Sequence, residues 1–196
     1  MEEAARHLEL AHRHDPADLV AHTEWATALS RLGEPERAAV ELGKVLDQDP
    51  TFGRALLNLA TVQAQLGRSA AAEATLRELI DGDSNAEERA AGHYRLGRIQ
   101  EERGDLARAV ESYRTALGLA DDLVDAHVAL AGLLARGERF VEAAASFDRA
   151  LELAPDDRSS HYGRALALML GERYAEARRS LEESVERHPE DLPLVH

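Results

Sequence analysis

Alanine returns at Ala38, Ala72, Ala109, Ala143 and Ala177, at intervals of 34, 37, 34 and 34 residues. A second small-residue series, Ala26, Ala60, Gly97, Ala131 and Ala165, runs twelve residues upstream of each. Small side chains at a fixed separation are what two close-packed helices need. Self-similarity at this period marks stacked supersecondary units in place of one closed core. Within each unit, apolar or small residues at i, i+3, i+4 and i+7 continue for about four turns, break at a glycine and resume. Each unit therefore reads as helix A, turn, helix B. The breaks fall at Gly33, Gly67, Gly104, Gly137 and Gly171, where glycine is expected to adopt the left-handed conformation that ends a helix. Pro50, Pro155 and Pro189 close helix B in three units, because proline cannot continue a helix and restricts the residue before it.

Aligned on the alanines, the chain divides into a leading half repeat at 1–18, full repeats at 19–52, 53–89, 90–123, 124–157 and 158–191, and the start of a truncated helix at 192–196. The leading half reads as a lone helix B, with Ala4, Leu8 and Ala11 at its core positions. At the other end Asp191 stands as an N-cap with Pro193 in the first turn, which is how a further helix A would begin. Finished solenoids carry polar outer faces at their ends. The apolar tail here leads to the expectation of a fragment of a longer array or larger protein.

Composition removes several classes of function. Net charge is −14, with 37 acids against 23 Lys and Arg, so no general attraction to nucleic acid or anionic lipid is expected. Cysteine is absent, which leaves no disulfide, thiolate nucleophile or thiolate metal ligand. The longest wholly apolar run, Ala165 to Leu170, is far short of the roughly 20 residues that span a bilayer, so no membrane insertion is expected. The opening residues are acidic and amphipathic, unlike a signal peptide. They leave the compartment open, with a soluble, cytoplasmic protein slightly favoured.

The motif positions resemble the tetratricopeptide repeat (TPR), whose 34-residue pattern pairs a large residue, a small one, Ala, an aromatic and a closing Pro. The third repeat carries it best, in His93-Tyr94-Arg95-Leu96-Gly97, then Gly104-Asp105-Leu106-Ala107-Arg108-Ala109 and Tyr113. The fourth adds Phe140, Ala143, Phe147, Ala150 and Pro155. Departures are Arg164 at a large apolar position, Gln63 and Gln100 at the tyrosine position of helix A, and Ser84 and Asp121 in place of the closing Pro. The resemblance implies an all-α fold, a right-handed α-solenoid of antiparallel helix pairs running as one array over 1–196. One repeat buries too little apolar surface to offset its backbone entropy, so neighbours must share faces.

Candidate chemistry resolves mostly into structure. Asp81-Gly82-Asp83-Ser84-Asn85 begins like a calcium loop, but Ala86 and Gly92 stand where an EF-hand needs Gly and Glu. Ser84 followed by Glu87 reads better as a capping box, with the three-residue insertion lengthening the next helix A. His22, His93, His127 and His161 recur at one slot of helix A. Stacked helix axes lie about 8–10 Å apart, so three such rings cannot converge on one ion. They are expected to pack as flat, half-polar substitutes for an aromatic. Neither a nucleophile beside a base nor a Gly-rich phosphate loop is present. No enzyme activity, cofactor or metal is expected within these residues.

The resemblance also implies that the A helices line a concave groove. Its positions in this chain collect Thr23, Glu24 and Thr27, then Arg54, Leu57, Asn58 and Thr61, then Tyr94, Arg95 and Arg98. Val128, Ala129, Gly132, Tyr162, Leu166 and Met169 continue it as a more apolar stretch. Of the carboxylate clamp used by some family members only Asn58 and Arg95 match, with Thr23, Thr27 and Ala91 at the remaining positions. The expected function is a non-catalytic protein-interaction scaffold. Its groove would hold an acidic or carboxylate-bearing peptide through Arg54, Arg95 and Arg98, with the apolar part toward Tyr94, Val128 and Tyr162. The opposing reading pairs these arginines with local acids such as Glu101 and Glu102. The alternatives are a module that self-assembles through incomplete end repeats, and an accessory array of a larger enzyme or complex.

Overall fold

The computed structural model describes residues 2–187 and, in the first helix, the side chains other than those at 2, 4, 5 and 11–13. Ala4, Ala11, Pro189 and the helix start at 191–193 thus lie outside the description. Helices follow one another as α1 (Glu2–His14), α2 (Leu19–Arg31), α3 (Pro35–Gln48), α4 (Gly53–Gln65), α5 (Ser69–Asp81), α6 (Ala86–Glu102), α7 (Leu106–Leu119), α8 (Val124–Arg136), α9 (Phe140–Leu153), α10 (Arg158–Leu170) and α11 (Tyr174–Arg187). Even-numbered helices are A and odd-numbered ones B. The chain forms two compact units, Met1–Asp105 and Leu106–His196, so α1–α6 belong to the first and α7–α11 to the second. Among the described residues no helix is long and apolar enough to cross a membrane.

Both small-residue series are buried along their length. In the first unit, Trp25, Leu29, Leu42, Val45 and Val62 close around Ala26, Ala38 and Ala55, with Leu8 of α1 packed against them. Leu76, Leu96 and Ile99 close around Ala60 and Ala72 in the same way. In the second unit Tyr113, Leu130, Leu134, Phe147 and Leu168 are buried, as are Ala109, Ala131, Ala143 and Ala165. Arg164, at the slot of Trp25, Leu59, Leu96 and Leu130, reaches Asp148 of α9 at 2.5 Å and Glu183 of α11 at 3.3 Å.

Every helix A ends in the same turn. The N–H of Glu34 donates to Leu29 C=O at 3.0 Å, and Arg68, Asp105, Arg139 and Arg173 donate to Gln63, Gln100, Leu134 and Leu168 at 2.8 Å each. This closure needs one residue in the left-handed region just before the donor. Gly33, Gly67 and Gly104 supply it at φ of +85°, +71° and +79°. In the last two repeats it is not the expected Gly137 or Gly171 but Glu138 and Glu172, at φ of 59° and 60°. Gly137 and Gly171 sit one residue earlier, at φ of −88° and −82°. Counting back five residues from each buried alanine gives the slots 33, 67, 104, 138 and 172, so the turn keeps its place in the repeat while the glycine does not. The left-handed region costs a residue with Cβ about 1–2 kcal/mol. Gly137 has ordinary helical φ, with nothing closer than 3.5 Å to an added Cβ. The paired change Gly137→Ala and Glu138→Gly therefore raises unfolding free energy by about 1 kcal/mol, measurable by urea denaturation.

The 37-residue repeat behaves as expected in one respect and differs in another. α6 has 17 residues where α2, α4, α8 and α10 have 13. Its capping box, however, lies one residue beyond the expected Ser84 and Glu87. Asn85 accepts from the Glu88 N–H at 2.9 Å, and the Asn85 N–H donates to the Glu88 carboxylate at 3.1 Å. Ser84 is unsuited to the cap because it is buried and its hydroxyl donates to Leu79 C=O at 2.5 Å.

Asp18 and Asp157 cap α2 and α10, accepting from the N–H groups of Ala21 and Ser160 at 2.9 Å. Burial pushes the Asp157 carboxyl up, but hydrogen bonds from Ser160 and Ser159 outweigh it and hold the group below its ordinary value. A carboxyl lowered in this way stabilises the fold above its unfolded pKa of about 3.9 and loses that contribution as pH falls through the folded value. Asp157→Ala accordingly costs about 0.5–2 kcal/mol at pH 7, and the deficit closes below about pH 4. Urea titrations at pH 7 and at low pH read both.

Candidate ligand groove

The A helices of the first unit are joined side by side through the residues expected to line a groove. Arg54 of α4 reaches Glu24 of α2 at 3.1 Å, and Asn58 Nδ2 donates to Thr27 Oγ1 at 2.9 Å. Lower on the same helices Ser30 donates to Gln65 at 2.6 Å. One repeat on, Arg95 of α6 donates through Nη1 to the Leu57 C=O of α4 at 2.8 Å and to Thr61 Oγ1. Arg95 is partly buried, and that burial pushes its pKa down against the influence of Tyr94, with the Arg98 charge adding to the depression. Its guanidinium is thus a tie between helices as much as a surface charge.

Arg98 stands one turn further along α6. Its side chain is 58% exposed and its acid partner, Glu102, lies 3.5 Å away across one helical turn, itself 60% exposed. An ion pair this wet contributes little. Both arginines border a cleft of about 250 Å³ between α4 and α6, floored by Ala60, Leu76 and Ile99 and edged by Thr61, Gln65 and Glu102. The cleft combines an apolar floor with a cationic rim, and Thr61, Arg95 and Arg98 converge on it. Arg54 and Asn58 lie on the α2–α4 side of the same unit, engaged by Glu24 and Thr27, whereas Leu57 packs against the cluster of Ala60, Leu76, Leu96 and Ile99. Tyr94 is half-buried on α6.

In the second unit, Val128 is half-buried on α8, whereas Tyr162, Leu166 and Met169 are exposed along one side of α10. At His22, His127 and His161 the slot combines packing with a hydrogen bond, and His93 is half-buried on α6. His127 Nε2 donates to Asp121 C=O at 3.0 Å and His161 Nε2 to Pro155 C=O at 2.9 Å. Each ring ties helix A to the loop six residues upstream. His22 stacks on Trp25 with ring centroids 5.8 Å apart and meets Glu41 at 3.0 Å. Among the described residues no group of three or more His, Asp or Glu is arranged to hold a metal, the Asp81–Asn85 segment included.

Sequence reasoning did not single out Gln65, Leu76, Ile99 or Glu102 as a lining set. Gln65 and Glu102 share one slot in the last turn of helix A, four residues after Thr61 and Arg98. That spacing is the signal that could have found them. Leu76 comes from helix B and carries no such signal.

Tetratricopeptide-repeat family models match residues 29–93 and, in overlapping copies, 72–124, 94–158 and 128–191. The chain is a tetratricopeptide-repeat protein. Solved TPR folds superpose over nearly its whole length. A structure described as functional characterisation of Pseudomonas aeruginosa pilF gives a TM-score of 0.79 at 23% identity, covering 96% of this chain and 84% of that one. The MamA protein gives 0.71 at 19% identity, covering 91% and 98%. YrrB, described as a TPR protein with an unusual peptide-binding site, gives 0.66 at 20% identity and covers 95% of each. At these identities the likeness is one of fold, an all-α solenoid of helix pairs. Comparison with curated protein sequences finds no significant match.

Proposed function

We propose that this TPR protein is a non-catalytic interaction scaffold that holds a partner segment on its A helices. The α4–α6 cleft takes an acidic side chain or terminal carboxylate of that segment. The observation that carries this reading is the pairing of Arg98 with Glu102: 3.5 Å apart and more than half exposed on both sides, in a cleft already bordered by the Arg95 guanidinium. A peptide carboxylate exchanges for Glu102 at small cost, because the pair it replaces is more than half exposed to solvent on both sides. Arginine offers that carboxylate a planar two-donor fork. The apolar floor supplies a seat for an aliphatic group beside the charge, which inorganic anions would not use.

The test is fluorescence anisotropy with labelled decapeptides that differ only in whether an aliphatic last residue ends in a free carboxylate or an amide, and in whether an internal Asp or Asn precedes it. Arg98→Glu should weaken binding of the acidic peptides at least about tenfold, or roughly 1.4 kcal/mol, while Glu102→Gln strengthens it. Arg98 is preferred to Arg95 for this purpose, since replacing Arg95 also removes the hydrogen bonds that join α6 to α4. Equal affinity of wild type and Arg98→Glu for every peptide would sink the reading.

A further inference from the structure

The polar side chains that edge the α4–α6 cleft have, with one exception, a hydrogen-bonding character fixed by their type or their partners. Arg95 and Arg98 can only donate. The Thr61 hydroxyl donates to the Leu57 C=O at 3.0 Å and accepts from Arg95, so its proton is already committed. Glu102 only accepts, and it is the group that a bound carboxylate displaces from Arg98. Gln65, exposed at the end of α4, is the exception. A carboxamide turned through half a circle exchanges donor for acceptor, so what Gln65 offers the cleft depends on how it is held.

Ser30 holds it. This residue is half-buried in the last turn of α2, which flanks α4 on the side opposite α6, and its hydroxyl donates to Gln65 Oε1 at 2.6 Å. That separation is usual for O–H···O and short for N–H···O, so the carboxamide turns its oxygen to α2. Nε2, on the other branch of the same planar group, is then directed away from α2 with two N–H donors, at the border of the cleft. With Glu102 displaced, the rim presents donors. A carboxylate, which only accepts, satisfies them. A carboxamide of the same shape brings its own N–H groups against a donor, and those groups give up bonds to water without gaining a partner.

We propose that Gln65 is the residue by which the cleft distinguishes a carboxylate from its amide, and that Ser30, outside the cleft, is the positioning residue that keeps the Gln65 carboxamide in its donating orientation. This rests on the cleft being a ligand site, as proposed above. Neither residue is among the clamp positions Thr23, Thr27, Asn58, Ala91 and Arg95.

Anisotropy titration of the full chain with one labelled decapeptide, aliphatic at its last residue and prepared as free acid and as terminal amide, tests the assignment. Wild type should favour the acid at least about tenfold. Gln65→Leu removes the donor and should weaken the acid about three- to tenfold while moving the amide by less than about twofold. Ser30→Ala lets the carboxamide turn over, so the acid should weaken at least about twofold while the amide tightens, a gain that general loosening of α2 against α4 cannot produce. In the Gln65→Leu background, Ser30→Ala should change neither affinity, because its effect runs through the carboxamide. A wild type without preference, or a preference that survives in Gln65→Leu, overturns this inference; if Arg98→Glu still weakens the acid, the ligand site itself stands. A wild type that binds neither peptide overturns both. A Ser30→Ala effect that persists without Gln65 makes Ser30 a packing residue and overturns its positioning role.

Discussion

Leu76→Ala should lower unfolding free energy by about 2–5 kcal/mol, whereas Leu181→Ala should cost less than about 1 kcal/mol in dilute solution. The two leucines hold the same slot of helix B, so helix propensity and chemistry are identical and only burial differs, Leu181 being 47% exposed. Leu76 is fully enclosed with Leu96, Ile99, Ala60 and Ala72. Removing its three outer carbons leaves a void lined by groups that cannot all close in. Part of that void opens into the α4–α6 cleft, because Leu76 is also its floor. The same substitution should therefore loosen peptide binding even where the protein is still folded. Parallel urea titrations of the two variants, run at low micromolar concentration, give the contrast directly; equal losses would contradict the burial argument.

Gly163→Ala should destabilise the protein even though alanine is the better helix former. A Cβ at this position would stand 2.3, 2.6 and 2.9 Å from three atoms of the Phe147 ring. Helix propensity favours alanine by about 1 kcal/mol. Forcing an additional carbon into a packed contact costs typically 1–3 kcal/mol, and here the obstacle is a rigid ring that is itself buried. The steric effect wins, with a net loss of up to about 2 kcal/mol and a melting temperature lower by about 2–4 °C per kcal/mol. Gly163→Val, with a smaller propensity gain and a bulkier side chain, should lose more. Phe147→Leu in the Gly163→Ala background should recover part of the loss by vacating the ring edge. A melting temperature that rises in Gly163→Ala would show the ring to be more yielding than its packing implies.

The repeat was legible in sequence because its two alanine series are dictated by one hard constraint, the closeness of paired helices. Ala38, Ala72, Ala109 and Ala143 are each completely buried, and no other chemistry competes for such a place. The helix ends were less legible. A glycine next to a turn is easily taken for the residue in the turn, yet Gly137 and Gly171 lie one place before the left-handed slot, where Glu138 and Glu172 accept its strain. Ser84 and Asn85 are both good N-caps on propensity. What decides between them is that Ser84 is buried against α5, a tertiary fact. The cleft was half-legible for the same reason. Thr61, Arg95 and Arg98 could be gathered from their positions on helix A, but its floor comes from a helix B side chain. The division of labour between Arg95, which ties helices, and Arg98, which faces solvent, depends on the partner each reaches, the Leu57 carbonyl of α4 for one and Glu102 of its own helix for the other.

The longer α6 bears on how faithfully this chain can find its own partners. In an array of near-copies each helix offers almost the same docking surface as the one a repeat away, and a folding chain can settle one step out of place. Thirteen-residue A helices are interchangeable in length, but α6 has 17 residues and its Asn85–Glu88 capping box sets the Glu88 carboxylate against Gly53 of α4. Displaced by one repeat, the Glu88 of that turn would meet the slot of Leu19 in place of Gly53, where even a Cβ would stand 2.3 Å from the Glu88 carboxylate. A single irregular helix thus acts as a key in the first unit, making the correct order of assembly the one arrangement in which every turn is seated.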